Sequence, residues 1–524
     1  MEMEDACRLI AERASLERVA TKEELQRLKL IVAKELGLKI VPSDLDVLRS
    51  IRGRGGDSIR EVLRRKAGRS LSGVTVITVA VPPYNCPHGS CAYCPGGPAW
   101  NAPKSYTGEE HIVKLSQRYS YDPGSVIRDQ VKKLEDAGHT VDKIELIMVG
   151  GTFTALPLHV QRSLVKRCLD ELNGVESSSL EEGLRVAEGA ERRVVGMTAE
   201  TKPEYAKYEH ANRLLEMGFT RVELGVQTLD DWSYSVLNRG HTLRDVVEST
   251  RVLKDLAFKV TFHVMPGLPE SSPERDIEVF RELFTNDAFK PDALKIYPTL
   301  VLPGTQLHKW WLKGWYRPYT ADELVKVLVE SMRYIPVYVR VNRIQREIPP
   351  HAIIDGNRLG NLRQLVEREA ARRGIRCRCI RCREVGRQGP KYEPRPEHLR
   401  LMRLSYEASG GIENFISFED VANDVLIGFV RLRIPSEPLR PELRGAALVR
   451  ELHVYGQMVP VGEGGGRGWQ HRGVGSRLLF EAERVASEEF GLRKVVVISG
   501  VGVREYYYSR GYVLDGPYVS KTLQ

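Results

Sequence analysis

Cys86-Pro-His-Gly-Ser-Cys91-Ala-Tyr-Cys94 sets three thiols within nine residues, directly after an apolar run suited to a β-strand. Clustered thiolates in a reducing compartment mean metal more often than disulfides. Three cysteines can hold a 4Fe-4S cubane and leave one iron open to bind and reduce a substrate, while a structural zinc, with His88 as fourth ligand, is the alternative. A second triplet, Cys377-Arg-Cys379-Ile-Arg-Cys382, offers three ligands but not four to a metal ion. His351 and His308 stand upstream as candidates for the missing ligand. Cys7 and Cys168 stand alone and read as packing or surface thiols.

Glycines mark two further positions. Gly150-Gly151-Thr152 closes the run KIELIMV, where a backbone without Cβ atoms can approach a ligand, although glycines also simply end strands. Gln470-His471-Arg472-Gly473-Val474-Gly475 precedes a helical pattern, so free N–H groups at the helix start can face a phosphate. Glu451 and His453, two apart in the preceding run RELHVY, share one face of a strand.

The elements that must position these groups follow from periodicity. Between about residues 72 and 350, GVTVITVAV, KIELIMVGG, RRVVGMTAET, RVELGVQT, KVTFHVMPG and ALKIYPTLV alternate with amphipathic stretches, which predicts six parallel strands in a barrel or partial barrel. Functional groups then gather at the strand C-terminal ends. VLIGFVRLRI and AALVRELHVYG predict adjacent antiparallel strands of a smaller α/β domain, continued by a helix from Val474 and the strand KVVVISG. The first 70 residues read as helical, with Thr21-Lys22-Glu23-Glu24 as a capping box. The expected organisation is a basic helical extension over 1–70, a barrel over 71–370, a metal-bound linker over 371–396 and the second domain over 397–524.

A chain of 524 residues exceeds one hydrophobic core. It has no apolar run of about 18 residues, and its start is acidic where a signal peptide is basic, so the expectation is a cytoplasmic protein without a membrane partner. The net charge of +9 is modest, but Arg49, Arg52, Arg54, Arg60, Arg64, Arg65, Lys66 and Arg69 face only Asp57 and Glu61, and a second concentration runs from Arg363 to Arg383. Such stretches suit a phosphate backbone, or else a solvated helix face.

With Tyr93 before the last cysteine, the first triplet resembles the radical-SAM superfamily, its first spacing being four residues where three are usual. The resemblance implies an open iron chelating S-adenosylmethionine, cleavage to a 5′-deoxyadenosyl radical, and Gly150, Gly151 and Thr152 at the methionine amino group. The loop Gln470–Gly475 is similar to the pyrophosphate loop of GNAT acetyltransferases, which implies acetyl-CoA. Tyr506 or Tyr507 could then protonate the departing CoA thiolate, and Glu451 and His453 could polarise a water or the acetyl carbonyl; packing beside the cofactor is the plain reading of all four.

Together, CPHGSCAYCPGGP, YTGEE, VDKIELIMVGGTFTALP, VELGVQT, LNRGHT, DALKIYPTLV, RELHVYG, QHRGVGSRLL, ISGVGVREYY and GPYVSKTL resemble the family of Elongator catalytic subunits from about residue 70 to the end. That family implies an α/β fold with a partial (β/α)6 radical-SAM barrel, a zinc-bound linker and a GNAT domain. It implies a carbon radical on the acetyl methyl that adds to carbon 5 of the tRNA wobble uridine, after which thioester hydrolysis leaves 5-carboxymethyluridine and free CoA. Lys143, Glu451, Leu452, His453, Val454, Gly473, Val474, Gly475, Ser476 and Tyr507 match acetyl-CoA positions, and Cys377, Cys379 and Cys382 match zinc ligands, with the arginines between them near the anticodon stem. An external electron donor is required, and a homodimer is open. The rivals are a protein lysine acetyltransferase with a structural iron-sulfur domain and a non-catalytic RNA-binding module.

Overall fold

The computed structural model describes residues 3–19, 21–38, 40–50, 62–63, 73–389, 392–456 and 473–523. Most of the basic stretch Arg49–Arg69, and Gln470, lie outside them. Three helices, Met3–Leu16, Lys22–Glu35 and Asp44–Ser50, form the start of the chain. Thr21 and Glu24 close the expected capping box, and Ile10, Leu25, Leu28 and Val32 fill a small core of their own.

All six expected barrel strands are present: β1 (Thr75–Ala80), β2 (Lys143–Val149), β3 (Arg193–Thr201), β4 (Arg221–Gln227), β5 (Lys259–Val264) and β6 (Ala293–Ile296). A seventh, β7 (Arg340–Arg343), extends the sheet, which is parallel throughout in the order β1 to β7. Its four residues, Arg-Val-Asn-Arg, carry no apolar run, so only pairing with β6 defines it. Val222, Leu224, Val260, Phe262 and Leu294 are wholly buried in the core formed with the outer helices. The alternate positions hold Glu145, Glu200, Glu223, His263 and Lys295, a charged interior where ordinary barrels stack Val, Ile and Leu.

The second sheet contains β8 (Leu399–Ala408), β9 (Gly411–Asp420), β10 (Val425–Ile434), β11 (Ala446–Val454), β12 (Lys494–Val497), β13 (Val513–Asp515) and β14 (Tyr518–Thr522), in the order β13-β14-β12-β11-β10-β9-β8. β10 and β11 pair antiparallel as expected, and β11 and β12 pair parallel across the helix Val474–Arg484.

This sheet packs against the N-terminal ends of the barrel strands through buried charge. Arg450 on β11 donates to Asp292 Oδ1 at 2.6 Å and to Glu413 Oε2 at 3.0 Å, while Arg433 pairs with Asp255 at 2.7 Å. Lys259, first in β5, lies 2.6 Å from Glu451. Removing one partner of so buried a pair strands an uncompensated charge, which makes the two halves one packed unit. Gly500 and Gly502 permit a backbone approach here, since a Cβ on Gly500 would lie 2.3 Å from the Val195 carbonyl oxygen. Among the described residues, no helix is long and apolar enough to cross a membrane.

Candidate functional site

The cysteine loop follows β1, Gly150-Gly151-Thr152 follows β2, Lys202 follows β3 and Arg239 follows β4, so all four converge at the strand C-terminal ends. They line a cavity of about 160 Å³ that also reaches Glu200, Gln227, His263, Lys295, Tyr297 and Arg343. The Arg239 guanidinium is buried and donates to Cys91 Sγ at 3.3 Å and to the Tyr93 hydroxyl at 2.8 Å. Burial opposes ionisation of Cys91, but Arg239 and a hydrogen bond with His88, whose Nε2 is 3.4 Å away, bring its thiol down to about 6. Burial raises Cys86, and burial beside the other thiols pushes Cys94 up to about 11.

Thr152 sits 3.9 Å from Cys86 Sγ, and its N–H donates to the Tyr84 hydroxyl at 2.9 Å. Gly150 and Gly151 both have positive φ, 138° and 90°, and the Gly150 N–H donates to Glu200 Oε2 at 3.3 Å. A Cβ on Gly150 would meet Val81 at 2.4 Å, so this glycine is required by packing as well as by backbone conformation.

Deeper in the barrel, His263 Nε2 lies 2.9 Å from Glu223 Oε2, and the Lys295 ammonium donates to the same oxygen. Glu200, Glu223 and His263 approach within 4.8 Å, as metal ligands do, but the Lys295 ammonium already occupies the space between the two carboxylates. Burial would raise Glu223, and Lys295 and His263 more than reverse this, holding the carboxyl far below its ordinary range. Gln227 ends β4 with φ 75°, a left-handed conformation costly for a residue with a side chain, and its buried Oε1 has no partner among the described residues.

Lys202, Arg239, Gln227, Glu223, His263 and Lys295 were missed as site residues by the reading of sequence. For Glu223, Gln227, His263 and Lys295 the signal was a charge or amide inside runs otherwise apolar, VELGVQ, KVTFHV and ALKI, whereas Lys202 and Arg239 lie in the loops after β3 and β4 and carried no such signal.

The second set of expected residues lies at the opposite end of the barrel. Lys143 opens β2 and is half-buried. Glu451 is engaged by Lys259 and by Arg431, 3.0 Å away, and these cations hold its carboxylate ionised despite burial. His453 packs against Tyr455, ring centroids 4.3 Å apart, and burial lowers it to about 4, so it is neutral. Leu452 and Val454 complete the strand. Gly473, at φ 79°, is the N-cap of the helix that Val474, Gly475 and Ser476 begin, and among the described residues no side chain caps it. Ser476 Oγ accepts from the Arg510 guanidinium at 3.0 Å. The Tyr506 hydroxyl reaches the first turn of this helix, 2.8 Å from where a Cβ on Gly475 would lie, and is buried without a partner among the described residues. Tyr507 instead sits in the core with Tyr512.

The thiols of Cys377, Cys379 and Cys382 lie within 4.8 Å of one another, close enough to share one ion, whereas among the described residues Cys86, Cys91 and Cys94 form no such group. The tight triplet fits a single zinc, and the wider one fits a cluster of several irons. Neither suggested fourth ligand joins the tight set: the His351 ring lies 3.5 Å from Glu109, and His308 packs beside Trp311. Nor is all the interleaved arginine free for a nucleic acid. Arg378 and Arg383 bind Asp424 of the second domain, while Arg381 makes no ion pair or hydrogen bond among the described residues.

A model of the Radical SAM superfamily matches residues 80–283, and one of the Radical_SAM C-terminal domain matches residues 291–372. The chain is 45% identical over 490 residues to the tRNA uridine(34) acetyltransferase of Methanocaldococcus jannaschii, covering 92% of this chain and 91% of that protein. It is 41% identical to human Elongator complex protein 3, covering 96% and 93% of the two chains. The solved structure of Methanocaldococcus infernus Elp3 lacking residues 1–46 superposes with a TM-score of 0.78 at 42% identity, covering 86% of this chain and all of that one.

Proposed function

The chain belongs to the family of Elongator complex protein 3 and the archaeal tRNA uridine(34) acetyltransferases, and we propose that it carboxymethylates the wobble uridine of tRNA with S-adenosylmethionine and acetyl-CoA. A reaction that joins an acetyl carbon to uridine needs a radical generator and a thioester in one enclosed space. The observation that carries the reading is that the cysteine cavity opens at one end of the barrel, while the strand bearing Glu451 and His453 covers the other end.

Cys86, Cys91 and Cys94 would hold a 4Fe-4S cluster, and Gly150, Gly151, Thr152, Glu200 and Gln227 would line the place of S-adenosylmethionine. With both bound, their chemistry is reductive cleavage to a radical that takes a hydrogen from the acetyl methyl. Arg239 stabilises the Cys91 thiolate. The uncapped helix start at Gly473, Val474, Gly475 and Ser476 would receive the CoA diphosphate on free N–H groups. Lys143, Leu452 and Val454 would flank the acyl arm. Glu451 is engaged by two cations and His453 is neutral, which favours roles in orienting the thioester over proton transfer; the buried, unpartnered hydroxyl of Tyr506 supports it as the donor to the CoA sulfur. Zinc at Cys377, Cys379 and Cys382 would be structural, and reduction of the cluster would need an external electron donor.

The test is anaerobic reconstitution with iron and sulfide, followed by S-adenosylmethionine, dithionite, acetyl-CoA and tRNA, and mass analysis of the nucleosides. The expected result is 5-carboxymethyluridine, lost in Cys91→Ala and in Gly475→Glu. Deoxyadenosine without modified uridine would refute the substrate assignment, and CoA release that is indifferent to tRNA would count against a single coupled space.

A further inference from the structure

No acidic residue occurs between Asp292 and Asp322, a stretch that carries His308, Lys309, Lys313 and Arg317. Its helix, Gln306–Leu312, follows β6 and therefore stands on the same rim as the cysteine loop. The two are joined directly, because the Leu307 N–H donates to the Ala92 carbonyl at 2.8 Å. Trp310 and Trp311 pack on the cluster that contains Cys91 and Tyr93, and Trp311 Nε1 donates to Asp355 at 2.8 Å.

Beyond these anchored rings the rim is apolar yet open. Trp315 is 70% exposed and Leu312 66%, although burying such side chains is normally favourable. The Trp315 backbone is fixed, its N–H donating to the Trp310 carbonyl at 2.9 Å, so the ring stands on an ordered turn. The Lys313 ammonium sits 4.4 Å from the Trp315 ring centroid. Nearby, Gly304 at φ 71° admits the Trp100 indole, which a Cβ there would meet at 2.5 Å.

We infer that this rim is a stacking platform for unpaired bases of the tRNA anticodon loop, with Trp315 as the exposed face and Lys309 and Lys313 as phosphate contacts. The inference rests on the reading of the chain as a tRNA-modifying enzyme. A flat indole suits a base of any identity, because every base has a π-face. Glu323 pairs with Arg317 and Asp355 with Trp311, which leaves Lys309 and Lys313 as the cations of this flank that meet a polyanion. The hydrogen bond from Leu307 to Ala92 ties the platform to the loop beside which the uridine must arrive.

The experiment measures binding of a fluorescent anticodon stem-loop RNA to the full-length protein at several salt concentrations. Trp315→Ala weakens binding by about tenfold, and Trp315→Phe restores most of it, as loss and return of one stacked base require. The salt dependence stays unchanged in both Trp315 variants, whereas in Lys313→Ala the slope of log affinity against log salt shrinks by about 1. Thermal melting equal to the parent's shows that the variants are folded. Unchanged RNA affinity in a folded Trp315→Ala overturns the inference. If RNA affinity is unchanged while cluster reduction by reduced flavodoxin slows, the rim instead receives an acidic electron carrier, and the inference is again overturned. Failure of the parent protein to bind the stem-loop is a separate outcome, which overturns the tRNA reading itself.

Discussion

Tyr506→Phe separates a catalytic hydroxyl from a packing one, because the two roles move stability and activity in opposite directions. The Tyr506 oxygen is buried and has no hydrogen-bond partner among the described residues, while its ring is held from one side by Arg510, whose guanidinium carbon is 3.7 Å from the centroid. An unsatisfied buried hydroxyl costs ~1–3 kcal/mol, so its deletion leaves the free protein as stable as the parent or up to about 3 kcal/mol more stable. If the same hydroxyl donates to the CoA sulfur, its loss slows CoA release by about 10² to 10⁴. That corresponds to ~3–5 kcal/mol in the barrier at 1.36 kcal/mol per tenfold. The assay pairs thermal unfolding without acetyl-CoA with thiol detection of released CoA in the presence of tRNA. Tyr507→Phe, altered in the core ring beside it, is the control and changes CoA release by less than about fivefold, because a hydroxyl away from the reacting atoms makes no contact specific to the transition state. A Tyr506→Phe protein that melts earlier and releases CoA at the parent rate would refute the assignment.

Three further outcomes follow from the buried charge and the metal sites. Arg450→Met leaves Asp292 paired with Arg431 alone and Glu413 with Arg433 alone among the described residues, and destabilises by ~3–5 kcal/mol in urea unfolding, while adding Asp292→Asn and Glu413→Gln recovers part of the loss; no recovery would remove the pairing argument. Burial alone would raise Asp292, but Arg450 and Arg431 hold it below its ordinary range, so its contribution is complete above the unfolded carboxylate pKa of about 3.9 and is lost as pH falls below it. Acid unfolding of Arg450→Met therefore depends less on pH than that of the parent, and equal pH slopes would contradict the linkage. Cys379→Ser lowers the zinc content by about one per chain in elemental analysis without altering the iron content, since the three thiols lie close enough to share one ion.

How much of this was legible in the chain divides along a physical line. The cysteine spacings, the glycine loops and the alternation of apolar runs are local properties, so the six barrel strands, the antiparallel pair VLIGFVRLRI and AALVRELHV, the capping box at Thr21 and the helix from Val474 could be read directly. β7 could not, because Arg-Val-Asn-Arg becomes a strand only through an edge offered by β6. The hairpin of β8 and β9 was likewise unread, since β8 is exposed along most of its length and its pairing partner defines it.

Only the tertiary structure decided the surroundings of each side chain. Glu451 and His453 share a strand face by period, but the attachment of Glu451 to Lys259 and Arg431 depends on residues 192 and 20 positions away. Tyr506 and Tyr507 are adjacent in sequence, and the fold sends one to the helix start and the other into the core. Arg378 and Arg381 look alike in the linker, yet Asp424 pairs one and leaves the other unpaired among the described residues. Residue type and spacing thus determined which chemistry the chain can carry, because metal ligation and phosphate binding depend on donors close together along the backbone. Protonation, pairing and exposure were left to the fold, because they depend on neighbours that sequence distance does not specify.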